Sequence, residues 1–214
     1  MNANDLINMV EWSIEAADKG ETILPKSVLA IRGHGSYKVS VFLNHLCKNM
    51  PFCQYLEFGT FTGRSLVAAA FGNHGSYIGV DKLQWLGSTI RFDSMEQLKD
   101  TLTNNLKLIH QGPTVPTYKV LEMDYHNFPS GAMSYDVFFY DADHSYQGTK
   151  DGIEKILPHL KPGVLIVDDY TTHAKSKEIQ SATHEILDNA IVHKEWTLSA
   201  KQGWHTGLFV AVIG

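Results

Sequence analysis

The sequence predicts an α/β fold: a mostly parallel seven-stranded sheet with helices on both faces, a helical cap before it and an antiparallel hairpin at its end. Three observations carry this expectation. From residue 53 onward short apolar runs alternate with amphipathic stretches, a rhythm that implies right-handed crossovers and a parallel sheet covered on both sides. The run Val137-Phe138-Phe139-Tyr140 is apolar at consecutive positions, as a strand buried on both faces must be. After residue 190 the rhythm changes to two strand-like runs separated by Ala200-Lys201-Gln202-Gly203-Trp204, the mark of a hairpin.

The elements follow in order. Residues 4–19 place Leu6, Ile7, Val10, Ile14 and Ala17 at helical spacing and stop at Gly20; a second helix over 37–49 presents Val39, Val41, Phe42, Leu46 and Cys47. These helices read as a cap segment (1–50) on a core (51–214) within one domain, the organisation that 214 residues favour. Strands are expected at 53–58, 76–81, 117–122, 135–141 and 163–168, with helices near 64–72, 94–109 and 147–158. A helix over about 176–189 precedes the hairpin strands 191–199 and 205–213.

Composition bounds the partners. A chain this long buries roughly 70% of its unfolded surface and needs no staples. The net charge of −5 argues against nucleic acid or an anionic membrane as the main partner. Cys47 and Cys53 lack metal-type neighbours and read as buried thiols, which places the chain in the cytoplasm by default. The sequence has no 18-residue apolar run, and Met1-Asn2-Ala3-Asn4-Asp5 does not open a signal peptide.

The richest stretch is Tyr55-Leu56-Glu57-Phe58-Gly59-Thr60-Phe61-Thr62-Gly63-Arg64-Ser65, an apolar strand entering a glycine-spaced turn and then an alanine-rich helix. In a Rossmann-like sheet such a turn holds a nucleotide: Gly59 for the sharp bend, Gly63 for a closely seated helix. A pyrophosphate loop, G-x-G-x-x-G, needs a second glycine where this chain has Phe61, whose ring obstructs the approach of phosphate oxygens. The turn therefore suits a nucleoside ligand without phosphates, of which S-adenosylmethionine (SAM) is the common one.

The strand ends supply the other candidates. Asp81 follows Gly63 by 18 residues (81 − 63), near the offset of about 20 at which an acid meets ribose hydroxyls. Asp124, after Met123, is placed to accept from an adenine amino group while Met123 packs on the ring; a solvated loop acid is the alternative of nearly equal weight. Asp141, Asp168 and Asp169 end two further strands, and carboxylates converging there invite a divalent cation; hard oxygen ligands favour Mg²⁺. Adjacent strand residues alternate faces, so one of Asp168 and Asp169 must point away unless the strand has ended. Asp143 reads as a cap for the helix beginning near Ser145. His144 adjoins the acids, which would raise its affinity for a substrate proton and make it the expected general base. His34 and His205 sit in glycine-flanked loops that could cover the pocket, although ordinary loop polarity is the reading that loops of this kind favour.

On these residues the chain resembles class I SAM-dependent methyltransferases, closest to the compact group of catechol, caffeoyl-CoA and macrolide-sugar O-methyltransferases. Glu57–Ser65, E-F-G-T-F-T-G-R-S, is similar to that group's first motif, and Asp141–Pro162 with Gly163 is similar to a broad branch of the same superfamily. The resemblance covers roughly residues 50–170. It implies SAM contacts from Glu57, Gly59, Thr60, Phe61, Thr62, Gly63 and Ser65, then Asp81 and Lys82, then Met123, Asp124 and Asp141. It implies Mg²⁺ on Asp141, Asp168 and Asp169, with Asp141 and His144 as catalytic residues. Two departures stand out: the third metal ligand is commonly Asn where this chain has Asp169, and a Lys base is replaced by His144 (141 + 3). The expected reaction is methylation of a small-molecule hydroxyl, without nucleic acid or membrane, by a chain that can pair as a homodimer. An NAD(P)-dependent oxidoreductase and a non-catalytic SAM-binding module are the competing readings.

Overall fold

The structure is a computed structural model and describes residues 1–84, 90–131, 133–160 and 162–214. Its strands are β1 (Cys53–Phe58), β2 (Gly75–Asp81), β3 (Thr117–Glu122), β4 (Val137–Tyr140), β5 (Gly163–Val167), β6 (Val192–Leu198) and β7 (Leu208–Ile213). They form one sheet in the order β3-β2-β1-β4-β5-β7-β6. The first five strands run parallel, and β7 is antiparallel to both β5 and β6. The expected hairpin is present, folded back so that its second strand, not its first, joins the parallel part.

Side chains alternate across the sheet and define two cores. Tyr55, Tyr77, Val137, Phe139, Ile166 and Val210 share one cluster with Leu6, Val10 and Phe42 of the first helices. Leu56, Ile78, Phe138, Tyr140, Leu165 and Phe209 share the other with Ile153, Ile156, Ile179 and Ile186. Each fully buried aromatic or branched side chain contributes on the order of 2–3 kcal/mol. The helices are α1 (Ala3–Lys19), α2 (Lys26–Leu29), α3 (Tyr37–Lys48), α4 (Arg64–Ala70), α5 (Met95–Leu106), α6 (Tyr146–Ile156) and α7 (Ser176–Leu187). The N-terminal helices thus form part of one full face of the sheet, packed into its core. Asn2 starts α1 with a capping box, and the Ser36 side chain accepts from Val39 N–H at the start of α3.

Several boundaries differ from the sequence reading for local reasons. The helix expected over 94–109 ends at Leu106 and tightens into a 3-10 turn, Lys107–Gln111. The helix expected to 72 stops at Ala70, because Phe71 is already extended. The last strand begins at Leu208 rather than 205, because His205 and Gly207 both adopt positive φ, 53° and 99°. The short α2 was not foreseen. Cys47 and Cys53 are free and buried, as expected. Among the described residues no helix is long and apolar enough to cross a membrane.

Candidate active site

The strand order reverses between β1 and β4, and in open α/β sheets ligands bind outside the carboxyl ends of the strands at that switch point. Phe58 pairs with Tyr140, so the next residues, Gly59 and Asp141, leave the sheet side by side. Gly59 has φ 96°, and a Cβ there would lie 1.8 Å from the Asp141 carbonyl oxygen. Gly63 has φ 82°, and its Cβ would lie 2.8 Å from Leu102 Cδ1, so α5 packs directly on the turn. At Gly59 the neighbour is backbone and only glycine permits the approach; at Gly63 the positive φ is what favours glycine.

A cavity of about 700 Å³ opens above this turn. Gly59, Thr60, Phe61, Thr62, Arg64 and Ser65 form its floor, with Asp81, Lys82 and Met123 along one side. Asp141, His144, Asp169 and His173 line another side, and His34 and His205 complete the wall. The loop bearing His34 is tied to the turn: Thr62 Oγ1 donates to Arg32 O at 2.5 Å and Arg64 Nη1 to Ile31 O at 2.8 Å. The loop bearing His205 is tied to the end of β5, with Thr171 and Thr172 N–H both donating to Thr206 O. Three of the four non-glycine residues with positive φ among the described residues, Phe61, Asp169 and His205, line this cavity. Left-handed backbone of this kind concentrates at ligand sites.

Asp81 organises the floor. Its Oδ2 accepts from Phe61 N–H at 2.7 Å and its Oδ1 from Leu83 N–H at 2.6 Å. Burial raises its pKa, and the N–H groups of Phe61, Leu83 and Thr60 offset part of that rise. The Phe61 ring stands between His34 and Phe92, with centroids 5.7 Å from each. The amide that a diphosphate would need at this point is therefore committed to Asp81, beneath an aromatic ring.

Glu57 is completely buried beside the turn. Tyr55 Oη donates to its Oε2 at 2.7 Å, while among the described residues neither Oε1 nor Thr60 Oγ1 has a hydrogen-bond partner. Burial pushes the Glu57 pKa up to about 7, and the bond from the Tyr55 hydroxyl offsets part of that rise. The folded chain thus holds this proton more tightly than the unfolded chain. The associated stability is fully present below pH 4.5 and is lost as pH rises to about 7, a span worth ~3 kcal/mol. Glu57→Gln should therefore stabilise the ligand-free protein by roughly that amount at pH 8 and by under about 1 kcal/mol at pH 5. Urea unfolding of both proteins at the two pH values checks this; an equal gap at both would contradict it.

The acidic cluster departs from expectation. Asp141 and Asp169 face the cavity, but Asp168 does not: it is only 3% exposed, and its Oδ1 accepts from Asp169 N–H at 2.8 Å. Burial, with the charges of Asp141 and Asp169 added, drives its pKa well above the carboxylate range. Asp141, Asp168 and Asp169 therefore do not offer three converging oxygens, and the set expected for Mg²⁺ does not fit that ion. β5 ends at Val167, so both acids lie beyond the strand: Asp169 turns with φ 58° and lines the cavity, while Asp168 stays buried and accepts from the Asp169 N–H. The group of three that does converge among the described residues is His144, Asp169 and His173, whose ligand atoms all lie within 4.8 Å of one another.

His144 Nε2 sits 3.0 Å from Asp169 Oδ2 and 3.4 Å from Asp141 Oδ1. Burial lowers its proton affinity, but the two carboxylates outweigh it and raise the pKa to about 10. The same contact, with a hydrogen bond from Thr206, holds Asp169 at about 2 despite its burial. In the ligand-free chain His144 is thus ion-paired with Asp169 and Asp141. Burial moves His205 the opposite way, below the ordinary histidine value.

The remaining candidates divide. Thr60, Phe61, Thr62, Ser65, Lys82 and Met123 line the cavity. Asp124 does not: it pairs with Lys82 Nζ at 2.7 Å and with His126 Nδ1 at 2.8 Å, and these contacts overcome burial to hold its pKa low. In the ligand-free chain these two partners take up its carboxylate. Asp143 Oδ1 accepts from Ser145 N–H, while Ser145 itself caps α6 by accepting from Gly148 N–H. Sequence reasoning passed over Arg64, His173 and Thr206; the last two lie in loops whose contacts join segments over 30 residues apart.

The family model described as a methyltransferase domain matches residues 56–170, more than half of the chain. No curated protein matches. Solved structures share the fold at low identity. An O-methyltransferase from Bacillus cereus in complex with SAH aligns with a TM-score of 0.58 and 16% identity, over 98% of this chain and 100% of that one. The O-methyltransferase TomG from Streptomyces achromogenes, in complex with SAM, gives 0.54 and 15% over 96% and 89%. The SAH-bound methyltransferase PaMTH1 from Podospora anserina gives 0.57 and 10% over 98% and 88%.

Proposed function

The chain belongs to the methyltransferase-domain family, and on that premise we propose that it transfers the methyl group of SAM to a hydroxyl of a small molecule. The observation that carries the reading is the cavity over the Gly59–Ser65 turn, whose Phe61 amide and ring leave no cradle for a diphosphate. That argues against the NAD(P)-dependent oxidoreductase reading.

The residues fit a sulfonium nucleoside in three places. An ionised carboxylate has about four lone-pair sites, and Asp81 spends two on backbone N–H groups, so it can still accept from ribose hydroxyls. Glu57 holds one buried, unpaired oxygen beside Thr60 and Ser65, suited to a ligand ammonium group. Met123 and Tyr125 line the side where a base would lie. When bound, SAM supplies a methyl group already activated by its sulfonium. The chain then has to hold the acceptor oxygen in line and take its proton.

His205 takes that proton. It lines the cavity, its loop is fixed against the end of β5, and burial keeps its ring neutral at physiological pH. His144 is pushed the other way, and such divergent environments separate the base from its charged neighbour. No step is routed through Mg²⁺, because Asp168, one of the three acids expected to hold it, is buried and does not line the cavity. The protein incubated with methyl-labelled SAM and a panel of small hydroxyl acceptors should yield methyl ether and SAH in equal amounts. His205→Ala should lower turnover at least ~100-fold while leaving SAH affinity unchanged. SAH binding with no methyl transfer to any acceptor would favour a non-catalytic module instead.

A further inference from the structure

Arg64 lines the cavity beside His34 and His205, yet no step of the methyl transfer uses it. The side chain is half-buried, and burial lowers its pKa with no carboxylate to offset the loss. The other cations on the cavity wall are matched: Lys82 pairs with Asp124, and His144 with Asp169 and Asp141. No acid among the described residues is paired with Arg64. A charge held partly out of water without a counter-ion is costly, and an anion in the cavity would relieve it. We propose that Arg64 binds a carboxylate carried by the acceptor, so that the substrates of this chain are small hydroxy acids. The assignment rests on the proposed methyl transfer and narrows its acceptor.

The guanidinium has both the donors and the rigidity for this. Its Nη1 donates to Ile31 O at 2.8 Å and its Nε to Ser40 Oγ at 3.4 Å. The remaining N–H groups, both on Nη2 among them, present the fork that grips a carboxylate with two parallel bonds. The loop before α3 lies against the stem: a Cβ at Gly33 would be 3.0 Å from Arg64 Cβ and 3.4 Å from its Cδ. A fork held this way loses little freedom when it binds. The position on the wall favours the acceptor over the cofactor. Burial lowers the His205 pKa, and the Arg64 charge pushes the same way against Asp169 and Asp141, so the two side chains share one space. A hydroxyl at His205 and a carboxylate at Arg64 are then two ends of one small molecule. The ammonium end of the cofactor is matched instead by the unpaired oxygen of Glu57, beside the turn.

The test sets phenolic and aliphatic hydroxy acids (salicylate, mandelate and lactate) against their methyl esters. Binding to the SAH-loaded full-length protein is measured by calorimetry, and methyl transfer with labelled SAM. The best acid should bind about 30-fold or more tighter than its ester. Arg64→Met should erase that difference with SAH binding retained, and Arg64→Lys should restore part of it, because a point charge remains without the fork. Thermal melting verifies the fold of both variants. Loosened packing would weaken acid and ester alike, whereas a lost anion contact weakens the acid alone. No preference for acids in the unmodified protein, or equal losses for acid and ester in Arg64→Met, would overturn the assignment. So would weaker SAH binding in Arg64→Met with unchanged binding of methylthioadenosine, which lacks the cofactor's carboxylate. The two proposals fail separately: methyl transfer to esters in preference to acids removes the carboxylate site alone. Arg64-dependent binding of an acid without methyl transfer removes the methyltransferase activity alone.

Discussion

Gly59→Ala is expected to destabilise the protein by roughly 3 kcal/mol or more and to abolish SAH binding in whatever fraction remains folded. Two costs add. The residue sits at φ 96°, where an alanine is strained by about 1 kcal/mol or more, and its Cβ would overlap the Asp141 carbonyl oxygen at 1.8 Å. That carbonyl belongs to backbone leaving β4, and relieving the overlap requires β1 and β4 to part at the point where the cavity opens. Gly131 provides the contrast: it too has positive φ, but its nearest neighbour would be 3.7 Å away, so Gly131→Ala should cost only about 1 kcal/mol. Urea unfolding of the two variants compares them directly, and equal costs would show that the Gly59 contact is not the cause.

Asp81→Ala is the second large effect: SAH affinity should fall about 100-fold or more with the fold retained. The carboxylate accepts from Phe61 and Leu83 N–H and so sets the shape of the turn before any ligand arrives. A hydrogen bond to a charged group is worth about 1.5–3 kcal/mol, and each 1.4 kcal/mol is tenfold in affinity. Loss of the ribose contact adds to the loosened turn. Calorimetric titration of the variant checks this. Unchanged affinity would mean that Asp81 serves the loop only and that ribose lies elsewhere.

The contrast between these residues and the acidic cluster shows what sequence could deliver. The sheet was legible because Val137–Tyr140 and its neighbours carry the signature of burial on both faces, and because Gly59 and Gly63 stand where the turn takes positive φ and, at Gly59, meets backbone. Phe61 announced a missing phosphate cradle by standing where a glycine is needed. Local patterning stopped short where function depends on contacts between distant segments. Nothing near His173 signals that it meets His144, 29 residues away (173 − 144), and nothing near Asp124 signals its ion pair with Lys82. Alternation warned that Asp168 and Asp169 could diverge, but only the end of β5 at Val167 and the φ of 58° at Asp169 show which of them lines the cavity. His205 could be placed near a pocket, but its environment follows from Thr206 bonding to the loop after β5.

Titration calorimetry of the unmodified protein with SAH, against NAD and a nucleoside diphosphate, tests the central claim most directly. The account predicts saturable one-to-one binding of SAH and no binding of either phosphate-bearing ligand. Heat from NAD or the diphosphate, with none from SAH, would contradict it.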